Sequence, residues 1–64
     1  MKLKHLLTVI PGSQLISIVI TGEIRFDRWE AIDTKKCLLH KELESPVIRI
    51  ETEEKTLKIY CIKD

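Results

Sequence analysis

The sequence predicts an α+β fold in which two β-hairpins form a four-stranded antiparallel sheet, with an N-terminal helix and a short middle helix on one face. Ten isoleucines and three valines favour strands, because branched side chains pack well on a pleated surface. They concentrate in two pairs of short segments, while the beginning of the chain shows helical spacing instead. A chain of 64 residues has room for one small domain, so we assign residues 1–64 to a single domain.

The first predicted helix covers residues 3–10. Its leucines and isoleucine follow the i, i+3, i+4, i+7 spacing of one helical face, and Pro11-Gly12 ends it. A helix of about two turns is not stable alone in water, so we expect it to dock against the sheet.

The first predicted hairpin joins strands 15–20 and 24–29. A two-residue turn would place isoleucines opposite charged residues. A three-residue loop at 20–22, with its glycine in the left-handed conformation, sets Ile18 opposite Ile24. Register follows the apolar pattern, since a shift of one residue turns every side chain to the other face. We therefore predict the three-residue loop, with both isoleucines facing the core.

The middle segment, residues 30–45, predicts a short helix. Asp33 or Thr34 can cap it, and Ser45-Pro46 ends it. Two lysines near its start oppose the helix dipole, which limits its length. Its apolar members are Cys37, Leu38, Leu39 and Leu43.

The second predicted hairpin joins strands 47–52 and 57–62 through a four-residue loop, 53–56. This loop gives favourable neighbours on the outward face, whereas a two-residue loop would place Arg49 opposite Lys58. The predicted outward pairs are Glu51 with Lys58, Arg49 with Tyr60, and Val47 with Ile62.

In both hairpins the alternation sends aliphatic side chains to one face, which the helices cover. The predicted sheet layer of the core consists of Ile16, Ile18, Ile24, Phe26, Ile48, Ile50, Leu57 and Ile59. The predicted helix layer consists of Leu3, Leu6, Leu7, Ile10, Leu38 and Leu43.

The outward face of the sheet is the candidate protein-binding surface. An outward Trp and Tyr favour this interpretation, because aromatic residues and arginine are enriched at binding hot spots. An open sheet also has two edge strands that can pair with another chain. We therefore expect a homodimer and a protein partner of unknown identity. The candidate binding residues are Leu15, Val19, Trp29, Val47, Arg49, Tyr60 and Ile62.

Nucleic-acid binding is the alternative function. Its candidate residues are Lys2, Lys4, Arg25 and Arg28 for phosphates and Trp29 for stacking on a base. Against it, the net charge is only +1 and residues 42–54 are rich in glutamate. The charges interleave rather than form one basic surface, so we rank this role below protein binding.

The cysteines and histidines give a weak case for metal or catalytic chemistry. Cys37 and His40 are three residues apart and would share one face of a helix, as metal ligands or as nucleophile and base. A structural zinc site needs four ligands, and Cys61 and His5 form no second closely spaced pair. We therefore expect both cysteines to be small buried apolar residues, and the protein to have no enzymatic activity, metal or cofactor.

The cysteine count and the hydropathy pattern predict a soluble, cytoplasmic protein. Two cysteines are too few for the disulfide scaffold of a small secreted protein. No apolar run approaches the roughly 18 residues of a membrane helix. The apolar N-terminal run is interrupted by Thr8, and no small-residue cleavage site of a signal peptide follows it.

The order of the predicted elements and several short segments carry a family resemblance. The segments are residues 4–10 (Lys-His-Leu-Leu-Thr-Val-Ile), the strands around Gly22, Leu38-Leu39, and residues 48–59 around Glu53-Glu54. In these respects the chain resembles very short, mostly uncharacterised proteins encoded by phages and prophages of Gram-positive bacteria. It departs from them at Lys35-Lys36 and Cys37, in a segment that is usually acidic. The resemblance implies a protein that binds a host protein, including host defence machinery such as CRISPR nucleases, and it assigns no functional residue.

Overall fold

The computed structural model describes residues 1–63, which fold into three short helices and four strands. The helices are α1 (Leu3–Leu7), α2 (Ala31–Cys37) and α3 (His40–Leu43). The strands are β1 (Leu15–Ile20), β2 (Glu23–Glu30), β3 (Val47–Glu53) and β4 (Thr56–Cys61). The α+β class predicted from the sequence is confirmed. None of the helices in this part of the chain has the length and apolar character that crossing a membrane requires.

The four strands form one mixed sheet in the order β2-β1-β4-β3. Each hairpin is antiparallel, but the hairpins join through β1 and β4, which run parallel, so the predicted all-antiparallel sheet is wrong at this junction. Alternation within a hairpin predicts only the pairing inside it. The junction depends on burial, because the two strands with the most buried residues occupy the centre. The segment from β2 through β3 supplies the long crossover that a parallel pair requires.

One face of the sheet, the helix-side face, carries the core. At its centre Ile16, Ile18 and Ile59 are completely buried against leucines of α1. Burial of each such side chain contributes about 1.5–3 kcal/mol to stability. The buried cluster comprises Leu3, Leu7, Ile10, Ile16, Ile18, Phe26, Ala31, Leu38, Ile59 and Cys61. The opposite face, the open face, carries Leu15, Ser17, Val19, Lys58, Tyr60, Arg49 and Glu51.

Most of the predicted core is confirmed, with three exceptions in the sheet layer. Leu6, Leu43 and Leu57 pack on the cluster while staying partly exposed. Ile24, Ile48 and Ile50, predicted to be buried, are exposed by 66%, 60% and 44%. All three lie on the edge strands β2 and β3: Ile50 is on the helix-side face at the edge of the sheet, whereas register shifts displace Ile24 and Ile48 from that face.

The first hairpin turns through two residues, Thr21-Gly22, rather than the predicted three. Both have positive φ, 50° and 80°, so the left-handed glycine is confirmed. The sequence argument rejected this turn because it would place Ile18 opposite Arg25. The structure avoids that pairing with register shifts on both sides of Ile18, which bring Phe26 opposite it.

These two β-bulges determine which face each β2 side chain occupies. Ile24 and Phe26 are two residues apart, yet Ile24 lies on the open face and Phe26 is buried opposite Ile18. Trp29, predicted to face outward, lies opposite Ile16 and therefore on the helix-side face. A bulge inserts one extra residue and reverses the alternation beyond it, which a strict period of two does not anticipate.

The second hairpin keeps the predicted register over most of its length. Glu51 is opposite Lys58 and Arg49 is opposite Tyr60, as predicted. The turn itself is shorter than the predicted loop, because Glu53 and Thr56 form one further pair. It consists of Glu54-Lys55, whose φ angles are 44° and 66°.

A register shift at the beginning of β3 overturns the last predicted pair. Val47 lies opposite Cys61, rather than opposite Ile62, and therefore on the helix-side face. The extra residue is Ile48, which the shift between Val47 and Arg49 leaves exposed. The prediction placed these two aliphatic residues on the wrong sides for the same reason as in β2.

The middle segment forms two helices instead of one. Leu38 and Leu39 adopt extended backbone conformations between α2 and α3. This break turns Leu38 into the core, while Leu39 is 60% exposed. One continuous helix would place these neighbours side by side on its surface, so the break separates their environments.

The first turn of α2 is anchored to the loop before β1. The Ala31 N–H donates to the Gln14 carbonyl at 2.9 Å, with Glu30 at the N-cap position. The predicted caps, Asp33 and Thr34, lie inside the helix instead. Thr34 is fully buried, and its hydroxyl donates to the Ala31 carbonyl at 2.8 Å. A backbone acceptor from another segment therefore replaces the side-chain cap.

Removing glycine from the first turn and introducing it into the second should change stability in opposite directions. Gly22→Ala should destabilise the protein by about 1 kcal/mol, since left-handed strain of about 1–2 kcal/mol outweighs an unfolded-state gain of about 0.4–1 kcal/mol. Lys55→Gly removes the same strain from the other turn, where φ is 66°, and should stabilise by up to about 1 kcal/mol. Urea unfolding midpoints measure both. Equal midpoints for the two variants would contradict the assigned turn conformations.

Candidate functional site

The structure divides the predicted protein-binding residues among different surfaces. Leu15, Val19, Arg49 and Tyr60 lie on the open face, Trp29 and Val47 lie on the helix-side face, and Ile62 follows β4. Val19 is only 7% exposed, because it lies on a central strand between Ile24 and Tyr60. The seven residues therefore do not form the single outward surface that the alternation predicted.

A polar cluster surrounds Tyr60 on the open face. The Arg49 guanidinium lies 4.2 Å from the centre of its ring, and the Lys58 ammonium lies 5.6 Å away. The Tyr60 hydroxyl donates to Glu51 Oε1 at 3.0 Å. A cation over an exposed aromatic ring contributes about 0.5–1 kcal/mol. Tyr60 and its neighbours satisfy one another, so this cluster stabilises the β3–β4 pair.

Trp29 packs against Phe26 on the helix-side face. The ring centroids are 5.0 Å apart and the planes are 72° apart, an edge-to-face contact. The Arg25 guanidinium lies 4.8 Å from the centre of the Phe26 ring. Trp29 remains 43% exposed, so part of its indole is available at the surface of β2.

A cleft of about 390 Å³ lies between β2 and α3, and we call it the β2–α3 cleft. Its apolar part consists of Ile20, which is half-buried, and of Leu39, which is exposed; Ile24 borders the cleft at the edge of β2, where its register places it on the open face. The full lining is Ile20, Thr21, Glu23, Ile24, Arg25, Leu39, Lys41, Glu42, Ser45 and Lys63. The cleft thus places the exposed Leu39 and the half-buried Ile20 within a charged border.

An ion pair between Arg25 and Glu42 joins β2 to α3 along this cleft. The other oxygen of the carboxylate, Glu42 Oε1, accepts the Leu39 N–H at 2.8 Å, which supports the first turn of α3. Partial burial raises the pKa of Glu42, but hydrogen bonds from Arg25 and Leu39 and the attraction of Arg25 outweigh it and lower the pKa overall. Two of the charged groups of the cleft wall, Arg25 and Glu42, therefore bond to each other.

A second charge cluster ties the N-terminal segment to the end of α3. Lys2 and Lys4 contact the Glu44 carboxylate at 3.3 Å and 2.6 Å. Hydrogen bonds from these two lysines lower the pKa of Glu44. The Leu3 N–H also donates to the Ser45 carbonyl at 2.9 Å, so backbone and side-chain contacts coincide here.

Three of the four basic nucleic-acid candidates are paired with carboxylates of the α3 region. Lys2 and Lys4 share a carboxylate, and Arg25 is paired with Glu42. Arg28 lies in the irregular part of β2, with φ of 59°. Ion pairing reduces the positive charge that these side chains present to a phosphate backbone.

The candidate metal ligands are also separated. α2 ends at Cys37 and α3 begins at His40, so the two residues do not share a helix. Cys37 is exposed, contrary to the prediction, whereas Cys61 is buried as predicted, and both are free thiols. Burial raises the pKa of the Cys61 thiol to about 11, so it stays protonated and packs as an apolar group. Residues 1–63 contain no group of three or more side chains positioned to hold a metal ion.

Comparison of the chain with protein families, with curated proteins and with solved structures finds no match. The resemblance to phage and prophage proteins therefore stays a prediction. The same holds for any function that the resemblance implies.

Sequence reasoning missed the two residues that define the β2–α3 cleft. It assigned Ile24 to the core and Leu39 to the apolar side of a single helix. The spacing Leu39-x-x-Glu42 is a signal that could have found one of them, because a glutamate at the third helical position marks a helix start. A helix boundary at Leu39 separates it from the buried face. Nothing comparable in the sequence indicates the bulge that exposes Ile24.

Acidification should destabilise the protein through Glu42 and Glu44. The pKa of each is lower in the folded chain than its ordinary value of about 4.3. Their contribution is therefore present above about pH 4.3 and is lost as the pH falls through the folded-state values. Urea midpoints measured from about pH 6 to about pH 2.5 should fall less steeply in a Glu42→Gln/Glu44→Gln variant than in the wild type.

Glu54→Gln is the matched control, because it removes a carboxylate that forms no salt bridge with residues 1–63. It should leave the shape of the pH curve unchanged. An equally steep fall in the double variant and the wild type would show that the two ion pairs do not control acid stability.

Proposed function

We propose that this protein is a non-enzymatic protein-binding module that acts by occupying the surface of a partner protein through its β2–α3 cleft. The observation that carries the proposal is the exposure of Leu39, at 60%, beside Ile20 in a cleft with a charged border. Scattered exposed aliphatic residues need no explanation, whereas a concave group with a charged border is typical of a binding site.

The polar groups of the cleft favour a protein partner over a small molecule. A small-molecule site needs a few polar groups that converge on the ligand and fix its orientation. Here Arg25 and Glu42 bond to each other, and Glu42 also accepts the Leu39 N–H. The remaining surface is apolar at its floor and open to solvent, which suits a side chain projecting from another protein.

The charges around the cleft indicate the chemistry of that partner. Its lining contains three cationic side chains and two acidic ones, an excess of one positive charge. Arg25 is neutralised by Glu42, which leaves Lys41 and Lys63 against Glu23. The occupant that fits is an apolar side chain, such as leucine or phenylalanine, on an acidic segment of the partner. A host protein of the defence machinery is the partner class that the phage resemblance suggests.

Substitution of the cleft residues should weaken partner binding. Leu39→Asp replaces the apolar wall, and burial of a leucine contributes about 1.5–3 kcal/mol, so affinity should fall about tenfold to a hundredfold. Leu39 occupies the N-cap position of α3, where aspartate is a favoured residue, so the variant should keep its fold. Ile24→Asp should weaken the same partner. Affinity capture from host extract identifies candidates, and titration of the purified pair measures the loss.

Val9→Asp is the matched control, since Val9 is 75% exposed and does not line the cleft. A partner retained by this variant and lost by both cleft variants supports the proposal. Equal retention by all variants with intact folds would refute it. A salt-sensitive gel shift that is lost in Lys2→Ala and Arg28→Ala would favour the nucleic-acid alternative instead.

A further inference from the structure

The outer edge of β3 has no neighbouring strand along most of its length. β3 is last in the sheet order, and only its beginning is covered, where the Val47 N–H donates to the Met1 carbonyl at 2.8 Å. From Arg49 to Glu53 the pairing with β4 runs without a register shift. Within residues 1–63, no strand pairs with the outer side of this regular run.

The two edges of the sheet differ in their suitability for a further strand. β2 contains two register shifts and a residue with positive φ, Arg28, and bulges of this kind protect an edge from pairing. The regular run of β3 contains neither lysine nor proline, the residues that commonly protect edges. β3 is therefore the edge on which an added strand can form a continuous ladder.

The charge pattern of β3 is complementary to itself. A two-fold axis normal to the sheet places one residue opposite its own copy and its neighbours opposite each other. With Ile50 on the axis, Arg49 of each copy lies opposite Glu51 of the other, and both side chains belong to the open face. Opposite charges directly across two strands stabilise the pair. Ile50, which is 44% exposed, then covers its own copy on the helix-side face.

Each neighbouring register contains a like-charge pair. An axis at Arg49 brings two guanidinium groups together, and an axis at Glu51 brings two carboxylates together, although it also places Arg49 opposite Glu53. An axis at Thr52 places Glu51 opposite Glu53. Like charges directly opposite each other are destabilising, so the charges select the register centred on Ile50.

We propose that a second copy of this chain pairs antiparallel along β3, with the two-fold axis at Ile50, to form a continuous eight-stranded sheet. The strand that pairs is short, so the dimer is of the weak, concentration-dependent class. β2 lies at the opposite edge of the sheet, so the dimer leaves both β2–α3 clefts open. The proposal does not depend on what the cleft binds.

Charge reversal at the two proposed contact positions tests the register. Arg49→Glu and Glu51→Arg each create two like-charge pairs across the axis, so each variant alone should dimerise about tenfold or more weakly than the wild type. In an equimolar mixture of the two variants both cross-axis pairs again have opposite charge. The mixture should therefore recover association as a heterodimer. Sedimentation equilibrium from about 10 µM to about 1 mM measures the self-association, and native mass spectrometry identifies the heterodimer.

The mixing experiment separates the interface from effects within one chain. Within one chain Arg49 also contacts Tyr60 and lies 3.7 Å from the Glu51 carboxylate, which in turn accepts the Tyr60 hydroxyl, so each substitution perturbs its own sheet. Mixing cannot repair such a perturbation, whereas it restores a contact between copies. Glu54→Arg, a charge change in the turn beyond the regular run, should dimerise as the wild type does.

Three results would overturn the proposal. They are a wild type that stays monomeric up to about 1 mM, dimerisation that both reversals leave unchanged, and a mixture that does not recover association. Leu39→Asp should dimerise normally, so loss of partner binding in that variant and loss of dimerisation in the β3 variants are distinguishable outcomes.

Discussion

The parallel pairing of β1 with β4 is the interaction on which the rest of the fold depends. It places Ile16 and Ile18 beside Ile59 at the centre of the sheet, where all three are completely buried. A parallel pair cannot be closed by a tight turn, so a long segment must cross between the two strands. That segment contains both edge strands and two of the helices. It must begin at the end of β1 and return to the start of β4, which constrains where these four elements lie.

The bulges in β2 allow the first hairpin to have both a two-residue turn and a buried Phe26. The Thr21-Gly22 turn alone would set Ile18 opposite a charged side chain, and the irregularity in β2 brings Phe26 there instead. The same irregularity exposes Ile24 and turns Trp29 toward the helices. A local feature of one edge strand thus brings Phe26 into the core and places Ile24 on the open face at the border of the cleft.

The two edge strands therefore differ in the regularity of their backbone and in the surface that they present. β2 is irregular and is tied to α3 by the ion pair of Arg25 with Glu42, which leaves a concave apolar surface. β3 is regular over most of its length and presents alternating charges around Ile50. A concave surface suits a projecting side chain, and a regular edge suits another strand, so one small sheet has two separate surfaces for association.

The sequence by itself determined the two hairpins, most of the register of the second hairpin and most of the core, because these depend on local periodicity and on pairs such as Arg49 with Tyr60. It did not determine how the hairpins join, since alternation contains no information about which strands become neighbours. It also assigned Trp29 and Val47 to the wrong face of the sheet, because a bulge reverses the alternation and the pattern of apolar residues does not reveal where a bulge lies. The cleft required the whole fold: Ile20 and Leu39 lie far apart in the chain and are brought together only when the first hairpin and α3 pack.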